Sequence, residues 1–123
     1  MRKNNLFMTD RLGNKVRLMH ILDAIGELEK YTKNVDFNEF STNTMLFSAC
    51  VRQLEIVGEA VNRLSDDLIA DNPEVEWRKV AGLRNMLIHE YFGIDDNLVW
   101  SIIQKNIPDL KAKVSIIVLG LNT

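Results

Sequence analysis

The chain has 123 residues, of which 46% are hydrophobic and 26% are charged, and we therefore expect one globular domain over residues 1–123. Its formal net charge of −2 at pH 7 gives no broad positive field, so any contact with nucleic acid requires a local cluster of Arg and Lys. The single cysteine, Cys50, excludes an intramolecular disulfide. Residues 1–17 do not resemble a signal peptide, and no apolar run reaches the roughly 20 residues that cross a bilayer. We expect a cytoplasmic protein with no membrane contact.

The first part of the chain has the apolar spacing of one amphipathic helix. From Asp10 to about Lys33, apolar residues recur at steps of three and four and predict one buried side: Leu18, Ile21, Leu22, Ile25 and Leu28. Residues 34–43 are polar and include several types that cap helices or turn the backbone. We expect a connecting loop there, with a second helix beginning at Thr42 or Asn43.

The second helix is expected to be long and central. Its apolar residues alternate between steps of four and three, a pattern that packs helices nearly parallel in a bundle: Cys50, Leu54, Val57, Val61 and Leu64. Asn72-Pro73 predicts a turn after this helix, because proline disfavours a helical conformation in the residue before it.

The rest of the chain predicts three further helices. One should begin at residues 76–77 and end near Gly93, since glycine can adopt the left-handed conformation that ends helices. Asp95 or Asp96 can cap the next helix, and Pro108 is expected to bend or break the path before the last one. No segment alternates with a period of two. The predicted fold is all-α, an antiparallel bundle of four long helices plus a short extra helix.

The segment from Arg84 to Tyr91 gathers a cation, an amide, an imidazole and a phenol near the end of a helix. Asn85 and His89 are neighbours at i, i+4, so the amide can hydrogen-bond the imidazole and fix its tautomer. Arg84 and His89 diverge by about 140° on a regular helix. One helix therefore does not direct both side chains at the same phosphate, and we infer a site completed across an interface.

From spacing alone, a structural interpretation stands equal to the chemical one. Arg84 and Glu90 can be solvated charges, His89 a helix-end cation favoured by the macrodipole, and Tyr91 a packing residue.

Arg84, His89 and Tyr91 have the spacing Arg-x-x-x-x-His-x-Tyr, which resembles the signature of the HEPN superfamily. Longer segments resemble its HepT-like branch. VGEA at 57–60 resembles the Ile-Gly-Glu-Ala box of that branch, and WRKVAGLRNMLIHEYF at 77–92 resembles its motif helix. VW at 99–100 and NIPDLK at 106–111 resemble its C-terminal block. The resemblance covers most of the chain after about residue 45.

This resemblance implies a metal-independent endoribonuclease toxin, a homodimer whose motif residues line a cleft between protomers. His89 would act as base or acid when the ribose 2′-hydroxyl attacks the adjacent phosphate, and Arg84 would hold that phosphate. Asn85, Tyr91 and Glu59 are candidate substrate-binding residues, with Glu59 orienting Arg84 or the RNA. We expect no cofactor and no metal site, because no cluster of Cys, His or carboxylates has ligand spacing.

The resemblance also implies a cognate antitoxin, a minimal nucleotidyltransferase of the MntA-like type. Such an antitoxin transfers AMP from ATP to the motif tyrosine, which is Tyr91 here. The added AMP would place bulk and negative charge where an RNA phosphate must bind.

Several other residues have structural interpretations. His20 lies beside an apolar stripe without neighbours at metal-ligand spacing, which favours a structural or surface role. Gly58 inside a helix indicates close packing of another helix. Cys50 is expected to be an inert thiol in the core. Arg52, Glu55, Glu59 and Arg63 have the spacing of a solvated helix face with ordinary i, i+4 pairs. Trp77 and Trp100 are expected to be packing anchors.

Two alternative functions stay open. The first is a non-catalytic HEPN binding subunit of a nucleotidyltransferase complex, against which the complete set of Arg84, His89 and Tyr91 weighs. The second is a histidine phosphotransfer domain, since these are also acidic helical bundles of about this length. Such domains follow the histidine with a lysine and small residues, whereas His89 is followed by Glu90, Tyr91 and Phe92.

Overall fold

The computed structural model describes the backbone of residues 2–89 and 95–122 and the side chains of residues 10–87 and 95–122. Within these ranges the chain is helical and contains no strand, as predicted. The helices are α1 (Arg2–Thr32), α2 (Phe37–Thr42), α3 (Thr44–Val61), α4 (Asp66–Asp71), α5 (Trp77–His89), α6 (Asp96–Ser101) and α7 (Ile107–Leu121), with a π-helical turn at Ile102–Asn106 between the last two.

The long helices α1 and α3 are antiparallel, and polar contacts at both ends show their register. Near one end, the Asn14 side chain makes two hydrogen bonds with Ser65, just beyond α3. Near the other end, Gln53 Nε2 lies 3.5 Å from the Tyr31 hydroxyl. Between these points the predicted apolar stripes of both helices are buried against each other and the rest of the core.

Helix α7 packs antiparallel to α1 on another side. Arg11 Nη2 donates to the carbonyl of Leu121 at 2.7 Å, and Lys111 Nζ lies 3.0 Å from the Glu29 carboxylate at the opposite end. Helix α5 packs antiparallel to α3, with Asn62 Nδ2 donating to the carbonyl of Ala81 at 3.3 Å. The four long helices α1, α3, α5 and α7 therefore form the predicted antiparallel bundle.

The predicted core positions are buried with few exceptions. Leu22 is half-buried at the edge of the core, and the other apolar residues of the two predicted stripes are buried. Cys50 is fully buried, and this burial raises the pKa of its thiol to about 11. The thiol is therefore neutral at physiological pH, in agreement with the inert role expected of it.

Two boundaries at the N-terminal end differ from the prediction. Helix α1 begins at Arg2 rather than near Asp10. A short helix, α2, also forms within the segment predicted as a loop, because the Asp36 carboxylate accepts a hydrogen bond from the Glu39 N–H. Phe40 of α2 is fully buried, and its ring lies 5.4 Å from that of Phe47 and 4.9 Å from that of Trp100. Burial of an aromatic side chain stabilises a helix that is too short to persist alone.

The second predicted helix is shorter than expected. It begins after Asn43, whose side chain caps it as predicted, but ends at Val61. The chain then turns, and Ser65 begins α4 by accepting a hydrogen bond from the Leu68 N–H. Asn14 of α1 accepts from the Ser65 N–H at 3.0 Å, so the break is stabilised by a residue that local sequence spacing does not reveal.

Pro108 does not break the helical path, contrary to one of the two outcomes predicted for it. Asp95 caps α6 as predicted, and α6 continues through the π-helical turn into α7, where Pro108 lies at the start. In this turn the Ile107 N–H donates to the carbonyl of Ile102, one residue further back than in an α-helix. The wider turn accommodates a residue that has no N–H of its own.

Gly93, the predicted end of the motif helix, lies outside the described residues. Within residues 2–89 and 95–122, no helix combines the length and the apolar character that a membrane span requires.

Candidate active site

The start of α5 is fixed by Trp77, which is buried as predicted. Its indole Nε1 donates to the carbonyl of Asn72 at 2.8 Å, and its backbone N–H donates to the carbonyl of Val75. A large buried side chain with a satisfied polar atom is a rigid anchor. It sets the position from which α5 carries the motif residues outward.

Gly58 of α3 lies in close contact with the backbone of α5 beside Arg84. A Cβ added at Gly58 would lie 3.0 Å from the backbone N of Arg84, 3.1 Å from the carbonyl O of Val80 and 3.5 Å from the Cβ of Arg84. Gly58 is buried, so the predicted packing role is confirmed. The contact places the Arg84 backbone directly against α3, while the Arg84 side chain is exposed to solvent.

The other motif residues are described to different extents. Asn85 is exposed one helical turn before His89, which is the last residue of α5. The side chain of His89 and the whole of Tyr91 lie outside the described residues. Because α5 is α-helical from Trp77 to His89, positions 84 and 89 are separated by about 140° around it.

The face of α5 that carries Asn85 and position 89 also carries Arg78 and Gly82. The four positions 78, 82, 85 and 89 have the spacing i, i+4, i+7, i+11 of one side of a helix. Arg78 and Gly82 are exposed. A Cβ added at Gly82 would meet nothing within 4 Å. This side of the motif helix is therefore open to close approach by another molecule.

Glu59 follows Gly58 and lies on the side of α3 that faces α1. Its carboxylate is 3.6 Å from Arg63 Nη2, and it lines a cavity of about 230 Å³ together with Arg17 and His20. Arg52 and Glu55 of the same helix also form an ion pair, at 3.3 Å. Glu59 is directed toward α1 in this arrangement, whereas Arg84 is on the α5 side of α3.

Local sequence spacing does not predict that His20, Arg17 and Arg63 lie together. His20 and Arg17 belong to α1, and Arg63 follows α3, so their meeting depends on how the two helices dock. The spacing of Arg17 and His20 within α1 gives only the weak signal that both can lie on neighbouring sides of one helix.

A cavity of about 620 Å³ lies between α5 and the start of α7, and Gly82 is among the residues that line it. Its floor is largely apolar and includes Val80, Leu83 and Met86 from α5 with Ile107 and Leu110. Among the described side chains, no group of three or more His, Cys, Asp or Glu residues is arranged to hold a metal ion.

Comparisons with known proteins identify the family of the chain. The family described as "Ribonuclease HepT-like" matches residues 21–117. The chain is 42% identical over 103 residues to "Putative RNase MJ1380" of Methanocaldococcus jannaschii, a match that covers 84% of this chain and 94% of that protein. It is 37% identical over 101 residues to "Probable ribonuclease HepT" of Thermococcus cleftensis, covering 82% and 92%. No solved structure matches the chain.

The chain thus has the all-α bundle of a HEPN protein. It belongs to the HepT-like ribonuclease family, to which the sequence motif assigned it.

Gly58→Ala should lower the free energy of unfolding by about 1–3 kcal/mol, because the new Cβ would press on the backbone of α5. This loss should appear although alanine is about 1 kcal/mol better than glycine in a helix. Urea denaturation followed by circular dichroism measures the change. Gly26→Ala in α1 is the matched control, since its Cβ would meet nothing within 4 Å. Equal stability of the two variants would contradict the close contact.

Proposed function

We propose that this protein is a metal-independent endoribonuclease that acts as the toxin of a HepT/MntA-type toxin–antitoxin system. The observation that carries the proposal is membership of the HepT-like ribonuclease family together with a complete motif of Arg84, His89 and Tyr91 in the sequence. The exposed Arg84 side chain, held at its base against Gly58, supports a role in binding substrate.

The proposed reaction needs only groups that the motif supplies. His89 removes the proton from a ribose 2′-hydroxyl, whose oxygen forms a bond to the adjacent phosphorus. The bond from phosphorus to the 5′-oxygen breaks, and that oxygen takes a proton, either the one that His89 has accepted or one from water. Arg84 stabilises the additional charge on the phosphoryl oxygens with its planar guanidinium. The products carry a 2′,3′-cyclic phosphate and a 5′-hydroxyl.

Asn85, Tyr91 and Glu59 complete the proposed site. The Asn85 amide lies one turn from position 89 and orients the imidazole. Tyr91 positions the RNA by a hydrogen bond or by stacking on a base. Glu59 acts on the site from a distance. Its carboxylate lies near Arg63, on the other flank of α3 from Arg84.

We propose further that the working form is a homodimer with two sites shared between protomers. The separation of about 140° between positions 84 and 89 on one regular helix supports this arrangement. The open face of α5 at Gly82 supports it as well, since a helix from a second copy can approach closely where there is no side chain. In a twofold dimer, Arg84 of one protomer then faces His89 of its partner.

The first experiment is incubation of the unmodified protein with tRNA and with a generic mRNA in EDTA, beside His89→Ala. We expect cleavage that survives EDTA, yields cyclic-phosphate ends and is lost in the variant, because general acid–base catalysis contributes about 10²–10⁴-fold. Product ends are identified by mass spectrometry. Absence of cleavage by a protein shown by mass to lack AMP would favour the non-catalytic binding subunit.

Mixing two inactive variants tests the shared site. Arg84→Ala and His89→Ala are each expected to be inactive, whereas a refolded equimolar mixture should recover about a quarter of the wild-type activity. The reason is that half of the dimers are mixed, and each mixed dimer contains one intact site and one doubly defective site. Cleavage rate against mixing ratio is the measurement. No recovery, although mixed dimers are detected by native mass spectrometry, would place both residues in one protomer.

We also propose that a minimal nucleotidyltransferase antitoxin neutralises the protein by transferring AMP from ATP to the Tyr91 hydroxyl, with release of pyrophosphate. The phenol lies two residues beyond position 89 in sequence. A phosphodiester there would repel the RNA backbone by like charge and occupy its space.

Intact-mass spectrometry after incubation with the antitoxin, ATP and Mg²⁺ tests this step. The wild-type protein should gain the mass of one or more AMP groups and lose RNA cleavage, while Tyr91→Phe should gain none because it has no acceptor hydroxyl. Tyr31→Phe is the matched control, since Tyr31 is the other tyrosine of the chain. Equal mass gain in wild type and Tyr91→Phe would assign the modification elsewhere.

A further inference from the structure

The cavity of about 230 Å³ between α1 and α3 is basic, although the protein carries a net charge of −2. Two arginines and a histidine line it with a single carboxylate, above a small apolar floor. The polar lining residues are Arg17, His20, Glu59 and Arg63, and the floor is Val16, Ile56 and Ala60. This local cluster is the kind of feature that an acidic protein needs in order to bind a polyanion.

Arg17 is held in this cavity by a specific local arrangement. Its Nη1 donates to the carbonyl of Gly13, one turn earlier in α1, at 2.9 Å. A Cβ added at Gly13 would lie 2.9 Å from the same Nη1, so the guanidinium occupies the space that a side chain would fill. Glycine is unfavourable inside a helix, and here it provides the room in which the guanidinium lies.

One donor of the same guanidinium, the buried Nε of Arg17, has no hydrogen-bond partner among the described side chains and backbone. Buried donors are almost always paired in native proteins, either with protein atoms or with ordered water. The guanidinium is therefore not fully engaged by hydrogen bonds within the described part of the protein.

Arg63 is also available to a ligand. Its Nη2 lies 3.6 Å from Glu59 Oε1, which is an ion pair beyond hydrogen-bond distance, and its side chain is largely exposed. Glu59 thus keeps Arg63 at the cavity. The two guanidinium groups carry two positive charges against the single negative charge of the Glu59 carboxylate, with His20 counted as neutral. The net positive charge favours an anion.

We propose that this cavity binds a backbone phosphodiester of single-stranded RNA, as a subsite separate from the point of cleavage. The inference depends on the proposed ribonuclease function. Guanidinium groups suit phosphate oxygens because their planar N–H groups donate in pairs. Gly58 contacts Arg84 on one flank of α3, and Glu59 lines the cavity on the other. The two sites are therefore about one helix diameter apart, roughly 10 Å, a distance that one RNA strand crosses within a few nucleotides.

Gly13→Ala and Arg63→Gln test the subsite. The probe is a short fluorescent single-stranded RNA with 2′-O-methyl riboses, which lacks the attacking hydroxyl and remains intact on the wild-type protein. Fluorescence anisotropy over a series of salt concentrations gives the Kd and the slope of log Kd against log salt. We expect each variant to bind about tenfold more weakly, with a salt slope smaller by about 1 because one phosphate contact is lost.

Two controls separate this effect from loss of structure. The first control is Gly26→Ala. Gly26 is in the same helix as Gly13, and a Cβ added at Gly26 would meet nothing within 4 Å. Arg52→Gln removes an exposed arginine of α3 that pairs with Glu55 outside the cavity. Both should bind RNA as the wild type does. Gly13→Ala should melt at or above the wild-type temperature, because alanine favours the helix, so weaker binding by this variant cannot come from unfolding.

Cleavage kinetics provide a second readout. A subsite that holds RNA away from the reacting phosphate should raise KM in Arg63→Gln and leave kcat within about twofold. If Gly13→Ala and Arg63→Gln both keep the Kd, the salt slope and the KM of the wild type, the subsite is overturned. The proposed ribonuclease function would still stand. A wild-type protein that neither binds nor cleaves RNA would overturn the proposed function, and the subsite with it.

Discussion

The close contact between Gly58 and the backbone of α5 is the constraint on which the arrangement of the motif depends. Any side chain at this position would meet the Arg84 nitrogen or the Val80 carbonyl at about 3 Å. Backbone atoms cannot rotate away as side-chain atoms can, so α3 and α5 keep a fixed separation and a fixed register. The base of the Arg84 side chain is thereby held in place, while its guanidinium remains free in solvent.

This contact also makes α3 a wall between Arg84 and the basic cavity. Arg84 is on its α5 side, and Arg17 with Arg63 is on its α1 side. The acidic residues of the chain are numerous, and they leave the protein with a net negative charge. Under such a balance, attraction for any polyanion depends on where the arginines are gathered rather than on how many there are.

Local sequence patterns predicted the fold class, the four long helices and most of the core, because burial imposes a regular spacing on each helix. They failed where a distant residue determined the outcome. Asn14 stabilises the break after α3 through Ser65, and Phe40 stabilises a helix in the expected loop by packing on Trp100. Pro108 was weighed as a helix breaker, which overlooked the π-helical turn that accommodates it.

The motif itself was recognisable because its residues lie within eight consecutive positions of the sequence, so their spacing is visible along the chain. The cavity was not, because Arg17 and Arg63 are 46 residues apart in the sequence. Their meeting depends on the docking of α1 against α3, and no periodicity within either helix contains that information. A resemblance to a family likewise identifies residues that are neighbours in the sequence. A group such as Arg17 and Arg63, which are far apart in the sequence, is found only in the three-dimensional structure.

The paired hydrogen bonds between Asn14 and Ser65 have a consequence for ligand binding. Asn14 is a buried polar residue of α1, and it lies one residue beyond Gly13 and one turn from Arg17. A buried amide that both donates and accepts is satisfied in one register only, so α1 cannot slide along α3 without leaving polar atoms unpaired. The walls that carry Arg17 and Arg63 are therefore rigid before any ligand arrives. A pre-organised pair of cations loses little conformational entropy when it closes on an anion, and more of the electrostatic attraction is retained as affinity.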